Sequence, residues 1–174
     1  MPLPAVSLRM PTASDANEFL GLVAASRRFH RPWVEPPGDR RAFAALIRRT
    51  EGNDFEAFLI VRASDDAIVG AVDLSHILDG PLRNAYLGFY ALGENVGHGY
   101  MTAGIAQAMR HAFNDLRLHR LEANVQPHNE RSKAVLERLG FRQEGFSPRY
   151  LKIGGRWRDH ERWAIRAEEW RRRG

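Results

Sequence analysis

The sequence contains no cysteine. This excludes disulfide bonds, thiolate zinc sites and a cysteine nucleophile, and nothing points to an oxidising compartment. Long apolar runs are also missing. No stretch approaches the roughly 18 uninterrupted apolar residues of a membrane helix, and the opening residues lack the apolar region of a signal peptide. We therefore expect a cytoplasmic protein that binds neither a membrane nor a metal.

Positive charge exceeds negative charge, with 26 Lys and Arg against 21 Asp and Glu, a net charge of +5. A basic balance suits an anionic partner such as a polyphosphate cofactor, RNA or an acidic protein surface. Much of the excess lies at Arg166 and at the arginines 171–173, so we expect residues 165–174 to form a basic C-terminal tail. No zinc-knuckle spacing or RNP-type strand motif is present, and direct nucleic-acid binding is not expected.

Length and periodicity predict a single α+β domain over residues 1–174. Early strands joined by short turns predict antiparallel hairpins, and a later strand-helix-strand segment predicts a crossover, so the sheet should be mixed. We expect about seven strands and about four helices. Residues 29–38, FHRPWVEPPG, predict an ordered aromatic loop because they contain three prolines. The predicted strands are Val6–Met10, Glu56–Ala63, Ile68–Ile77, Asn84–Leu92, Leu121–Gln126, Phe141–Ile153 and Trp157–Ile165; the helices start at Thr12 or Ser14, span Arg40–Thr50, follow Gly99, and span Asn129–Leu139.

A glycine turn precedes the third predicted helix, in the string VGHGYMT from Val96 to Thr102. A helix that opens at Gly97-x-Gly99 presents free backbone N–H groups at the positive end of its dipole, which favours an anion, and Thr102 could add a hydroxyl donor. The glycines are equally compatible with a tight turn that binds nothing. A P-loop is excluded because no Gly-Lys-Ser/Thr ending follows, and a dinucleotide fingerprint would need glycine in place of Thr102.

A second motif, PHNERS, begins the fourth predicted helix. Asn129 and Ser132 lie one turn apart, so their side chains project from the same end of that helix. Asn129 is also a good N-cap and Ser132 a passive first-turn residue, and from the residues alone capping is the simpler interpretation.

Taken together, four strings resemble the GNAT N-acyltransferase family over about residues 6–165, and most closely its ribosomal-protein alanine N-acetyltransferases of the RimJ/RimL type. These strings are VGHGYMTAG (96–104), LHRLEANVQPHNERSKAVLERLGF (118–141), EGF (144–146) and GGRWRDHERWAI (154–165). The turn departs from the family pattern R/Q-x-x-G-x-G/A at Val96 and Met101 and keeps its central glycine at Gly99.

The resemblance implies acetyl-CoA as co-substrate and a sheet splayed in the middle, with the pantetheine arm lying along Gly88–Leu92 of the fourth strand. The strand's N–H groups would stabilise the oxyanion. The residues that the resemblance assigns to cofactor binding are Leu92, Val96, Gly97, His98, Gly99, Tyr100, Met101, Thr102 and Asn129.

The same resemblance implies that Ser132 protonates the departing thiolate, because the tyrosine acid of many relatives falls on Leu136, which cannot donate a proton. Relatives often carry a basic glutamate where this chain has Tyr86. The base is therefore open among an ordered water and several side chains. We count Tyr150 with Ser132 as the candidate catalytic residues. The other candidate bases are Glu35, Asp73, His76 and His160.

The implied reaction is direct transfer of an acetyl group to a primary amine, without a covalent enzyme intermediate. A protein N-terminal α-amine, of the ribosomal-protein alanine type, is the expected acceptor. A small-molecule amine or polyamine acetyltransferase and a non-catalytic acyl-CoA sensor or RNA-associated protein are the alternatives. Residues Phe29–Trp33, with Tyr150 and Trp157, should either wall the acceptor site or plug the splayed sheet. The chain could be a monomer or a homodimer.

Overall fold

The computed structural model describes residues 3–94 and 96–172. Asn95, in the predicted loop before the glycine turn, and Arg173, in the basic cluster, lie outside the described residues. The strands are β1 (Val6–Arg9), β2 (Phe55–Arg62), β3 (Ile68–Leu78), β4 (Asn84–Ala91), β5 (Arg120–Val125), β6 (Arg142–Ile153) and β7 (Arg156–Arg166). The helices are α1 (Ala16–His30), α2 (Arg40–Arg49), α3 (Tyr100–Arg110), α4 (Glu130–Leu139) and α5 (Ala167–Arg171).

All seven strands form one sheet in the order β1-β2-β3-β4-β5-β7-β6. Every neighbouring pair is antiparallel except β4 and β5, which are parallel. The predicted mixed sheet of about seven strands is thereby confirmed. None of the helices in the described ranges combines the length and apolarity needed to cross a membrane.

The parallel pair is where the sheet splays. Only Asn84–Tyr86 of β4 pairs with β5, although β4 continues to Ala91 and β5 to Val125. Beyond Tyr86 the two strands separate and leave a wedge between them. On its other edge β4 stays paired with β3 as far as Ala91.

Side chains alternate between the two faces of β4, and each face has its own core. Leu87 and Phe89 pack with α3 and α4, in a cluster that includes Ile105, Phe113 and Leu136. Tyr90 packs on the opposite face, against the cluster formed by α1 and α2. Tyr86 and Gly88 share the parity of Tyr90, so this second face presents them.

Two segments differ from expectation. Helix α1 continues through His30 and ends before Pro32, so the aromatic loop starts later than predicted. Residues 165–172 are packed on the domain and do not form a solvated tail: Ile165 is fully buried in β7, and Trp170 of α5 packs on Phe113 with ring centroids 5.3 Å apart. The tail prediction was wrong because it followed the basic composition and not these two apolar residues.

Candidate active site

Helix α1 holds the end of β4 at the wedge. The Ser26 hydroxyl accepts a hydrogen bond from the Gly93 N–H at 2.9 Å and donates to the Leu22 carbonyl at 2.6 Å. The His30 Nε2 lies 2.7 Å from the Ala91 carbonyl oxygen. Nε2 is the donor, because a carbonyl oxygen can only accept, and burial lowers the pKa of His30, which keeps the imidazole neutral. Sequence reasoning missed Ser26 and His30, and their spacing of one helical turn on α1 was the only signal.

The backbone groups of β4 that do not bond to β3 face the wedge. The Leu92 N–H donates to the Val69 carbonyl at 2.9 Å, so it faces β3. Peptide groups alternate in direction along an antiparallel pair, and those of Phe89 and Ala91 therefore face the wedge. Leu92 bonds to β3 through its N–H, its side chain is fully buried, and its assignment to cofactor binding stays a prediction.

The glycine turn leads directly into α3. Gly97 and Gly99 adopt positive φ angles of 90° and 82°, a region that favours glycine. Gly99 is the N-cap of α3 and offers no side chain to the free N–H groups of Tyr100, Met101 and Thr102. A Cβ on Gly97 would have no heavy atom within 4 Å, so the approach to the turn is open. The His98 ring stacks on Tyr100 with centroids 6.1 Å apart.

The departure of Met101 from the family pattern has a structural explanation. A Cβ built on Gly70 of β3 would lie only 2.4 Å from the Met101 sulfur, so the Met101 side chain packs onto the sheet. Thr102 is buried, and its hydroxyl accepts a hydrogen bond from Arg138 Nη1 at 3.4 Å. Arg138, from α4, therefore places a positive charge beside the start of α3, which sequence reasoning did not anticipate. The open turn, the free N–H groups and this cation fit a pyrophosphate.

The start of α4 has the capping geometry. Asn129 is the N-cap, and its Oδ1 accepts a hydrogen bond from the Ser132 N–H at 3.3 Å. Ser132 is half-buried in the first turn. Leu136, one turn further along, is fully buried in the core.

Tyr150 reaches Tyr86 through a bulge in β6. Pairing with β7 is interrupted between Ser147 and Leu151, and Arg149 within the bulge has a φ of 47°. The Tyr150 and Tyr86 hydroxyls are hydrogen-bonded, and this bond, followed by burial, raises the pKa of Tyr86. The structure thus brings Tyr150 to the point where β4 leaves β5.

Three other candidate bases lie in different surroundings. His160 is buried, and burial lowers its pKa; its ring is 6.3 Å from that of Tyr150, in an edge contact. His76 is exposed on a bulge of β3, with its ring 5.7 Å from Tyr86. The Glu35 carboxylate accepts a hydrogen bond from the Gly154 N–H at 2.9 Å, so it joins the aromatic loop to the β6–β7 hairpin.

Asp73 lies on β3 directly opposite Gly88 of β4. Burial raises the pKa of its carboxyl to about 6, an effect opposed by the positive charge of Arg49. Sequence reasoning included Asp73 only as an outward strand residue among several candidates.

The aromatic loop is tied to the sheet on the wedge side. Gln126, just beyond β5, donates from Nε2 to the Pro32 carbonyl at 2.8 Å. Trp157 is 61% exposed, so it does not plug the splayed sheet, and its place in the acceptor wall stays a prediction. Across residues 3–94 and 96–172 no cluster of three or more His, Asp or Glu side chains is arranged to hold a metal ion.

A family model for the acetyltransferase (GNAT) domain matches residues 6–142. The probable N-acetyltransferase YjcK of Bacillus subtilis is 34% identical over 168 residues, covering 92% of this chain and 93% of that protein. The ribosomal protein uS5-alanine N-acetyltransferase of Escherichia coli is 32% identical over 174 residues, covering 94% and 88% of the two chains.

Two solved structures are similar to this chain. Mycobacterium smegmatis RimJ in complex with CoA-disulfide superposes with a TM-score of 0.87 at 32% identity, over 95% of this chain and 84% of that one. A Vibrio cholerae spermidine N-acetyltransferase in complex with CoA and spermine has a TM-score of 0.80 at 23% identity, over 95% and 97% of the two chains, and shares the fold.

Proposed function

The chain belongs to the GNAT acetyltransferase family, and on this premise we propose that it acetylates the N-terminal α-amine of a protein, of the ribosomal-protein alanine type. Acetyl-CoA would be the co-substrate, and transfer would be direct, without a covalent enzyme intermediate. We place this activity in the cytoplasm. The relative that supports this acceptor is the E. coli uS5-alanine enzyme, which aligns with 94% of this chain.

The donor side of the proposal rests on the wedge and the turn. Phe89 and Ala91 of β4 would bind the extended pantetheine arm through their wedge-facing peptide groups, apart from the Ala91 carbonyl, which accepts from His30. The pyrophosphate would lie on the N–H groups that open α3, with the Arg138 charge beside it. The residues we assign to this site are Leu92, Val96, Gly97, His98, Gly99, Tyr100, Met101, Thr102 and Asn129, several of them through backbone groups alone.

The acceptor assignment is carried by one observation: β4 has no carboxylate. On the face toward α1 and α2, its positions near the splay are Tyr86, Gly88 and Tyr90, and the glutamate that relatives often carry falls on Tyr86. Lysine has a pKa of about 10.4 and an α-amine one of about 7.7 to 8.0, so freeing the amine at pH 7.5 costs about 4 kcal/mol for lysine and under about 1 kcal/mol for the α-amine. A site without a strong base suits the α-amine.

Two hydroxyls are available to protonate the departing thiolate. Ser132 lies in the first turn of α4, and Tyr150 lies at the splay through its hydrogen bond to Tyr86. General acid catalysis by such a group contributes about 10²- to 10⁴-fold to turnover.

Thiol release from acetyl-CoA, measured with separate panels of peptides, polyamines and free amino acids, tests the acceptor class. We expect release with peptides that carry a free N-terminus. Faster release with polyamines would instead place this chain with the spermidine-acetylating members of its fold, and no release with any amine would indicate an acyl-CoA sensor.

A further inference from the structure

A carboxylate from β3 occupies the space above the face of β4. Gly88 has no side chain, and a Cβ built on it would lie 2.5 Å from Asp73 Oδ2 and 3.0 Å from Oδ1. The Asp73 carboxylate therefore fills the volume that a side chain of β4 would take. Gly88 lies two residues beyond Tyr86, the last β4 residue paired with β5. The carboxylate is thus at the start of the wedge, on the face that also carries Tyr86.

Few polar groups surround this carboxylate. On its other side β2 contributes Ala57, and the small cavity around it is lined by apolar side chains that include Leu46 and Leu59. Arg49 of α2 is the charged group that faces it, and Tyr90 of β4 is the titratable one. Arg49 lowers the pKa of Asp73 less than burial raises it.

Asp73 forms no hydrogen bond or salt bridge within residues 3–94 and 96–172. An unpaired, desolvated carboxylate destabilises a fold, so it needs another reason to be present. Groups of this kind are concentrated at functional sites.

We propose that Asp73 is the general base of this enzyme and accepts the proton of the incoming acceptor amine. The inference rests on the proposed function. The missing carboxylate of β4 is replaced from the neighbouring strand, through the gap left by Gly88.

Groups on this chain accept and donate the protons that the reaction moves. The acceptor ammonium gives one proton to an Asp73 oxygen. The neutral nitrogen forms the C–N bond to the thioester carbonyl carbon, and the C–S bond breaks. The sulfur takes a proton from the acid hydroxyl of Ser132 or Tyr150, and the second proton lost by the nitrogen restores that hydroxyl. Asp73 then releases its proton to water, so one proton is produced per turnover.

The basicity of Asp73 suits an α-amine. With a pKa of about 6, it lies about 2 pH units below an α-amine and more than about 4 below a lysine. Proton transfer is therefore unfavourable by about a hundredfold in the first case and by more than about 10⁴-fold in the second. The same carboxylate would serve the proposed acceptor and discriminate against lysine.

Asp73→Asn tests the assignment, since it removes the charge and keeps the shape. With an N-terminal peptide acceptor we expect kcat to fall by about 10²- to 10⁴-fold. The limb of the kcat profile near pH 6 should disappear, and the acetyl-CoA-induced shift in melting temperature should be kept. Asp79→Asn removes an exposed carboxylate just after β3. This control should leave kcat, the limb near pH 6 and the acetyl-CoA-induced melting shift unchanged. Formate should partly restore turnover to Asp73→Ala. Full turnover and an unaltered pH limb in Asp73→Asn would overturn the proposal.

Gly88→Ala provides an independent variant, because its Cβ would displace the Asp73 carboxylate. We expect it to lower kcat, and we expect Asp73→Asn to cause little further loss in its background. Additive losses would contradict the assignment. Failure of the proposed function is distinguishable, because it would appear in the wild-type protein as preference for lysine or polyamine acceptors.

Discussion

The His30 imidazole, at the end of α1, donates from Nε2 to the Ala91 carbonyl, at the end of β4, over 2.7 Å. This bond joins residues 61 positions apart. It fixes the β4 terminus at a place where the strand has no partner on its β5 side. The geometry of the wedge therefore depends on helix α1, which reaches the wedge-facing carbonyl of Ala91 through His30.

His30→Ala should test that dependence. It removes a buried hydrogen bond and leaves a cavity, so we expect the free energy of unfolding to fall by about 2 to 4 kcal/mol. The KM for acetyl-CoA should rise because the β4 terminus is less well held. Arg28→Ala, on an exposed position of the same helix, is the control. Chemical denaturation and initial rates measure the two effects, and an unchanged KM in a stably folded variant would count against the coupling.

Acetyl-CoA should stabilise the protein by about 2.7 to 4.1 kcal/mol at 100 to 1,000 times its dissociation constant. Gly97→Asp should abolish this effect by placing a negative charge at the proposed phosphate site. Gly97→Asn has the same shape and the same positive-φ strain, so it should retain most of the shift. Gly97 is preferable to Gly99, where an added Cβ would also lie 3.2 Å from Pro4. Equal melting shifts in the two variants would contradict the assignment of the phosphate to this turn.

Ser132→Ala should lower turnover by about 10- to 1,000-fold with little change in acetyl-CoA affinity, as expected for a proton donor. Asn129→Ala should behave differently. It removes the α4 cap, at a cost of about 1 kcal/mol of stability, and should weaken acetyl-CoA binding. Steady-state kinetics with a binding titration separate the two. If Ser132→Ala keeps full turnover, the acid is Tyr150, and Tyr150→Phe should then carry the loss.

The unpaired carboxylate of Asp73 also affects stability. Its pKa of about 6 in the folded state exceeds the value of 3.8 for a free side chain. The folded state therefore binds this proton more tightly, and stability is lost as the pH rises from about 4 through 6. Asp73→Asn should raise the free energy of unfolding at pH 7.5 by up to about 3 kcal/mol and leave it unchanged near pH 3.5. Urea denaturation at the two pH values measures this difference.

The order and type of the main elements could be predicted from sequence because each has a clear period and clear ends. Strands β2 to β5 begin and end within a residue or two of the predicted bounds, and Gly140 ends α4 in the left-handed conformation. Residues 165–172 were misjudged because Ile165 and Trp170 are isolated apolar anchors in a basic segment.

The site was harder to predict, because its parts come from strands far apart in the chain. Nothing in the local sequence indicates that Tyr150 reaches Tyr86, since a bulge in β6 sets that contact. The relation of Asp73 to Gly88 depends on the β3–β4 register, which a pattern of alternating residues does not fix. The backbone sites of the glycine turn were easier because helix starts bind anions in a general way.

The central claim is most directly tested with two matched peptides, one with a free N-terminus and blocked lysine, the other with a blocked N-terminus and free lysine. Acetylation of each is followed by mass spectrometry from about pH 6 to 10, a range that spans both amine pKa values. We predict that the first peptide reacts faster at neutral pH and that its kcat/KM levels off near pH 8, where the free α-amine is deprotonated. Faster acetylation of the lysine peptide at neutral pH would contradict the account.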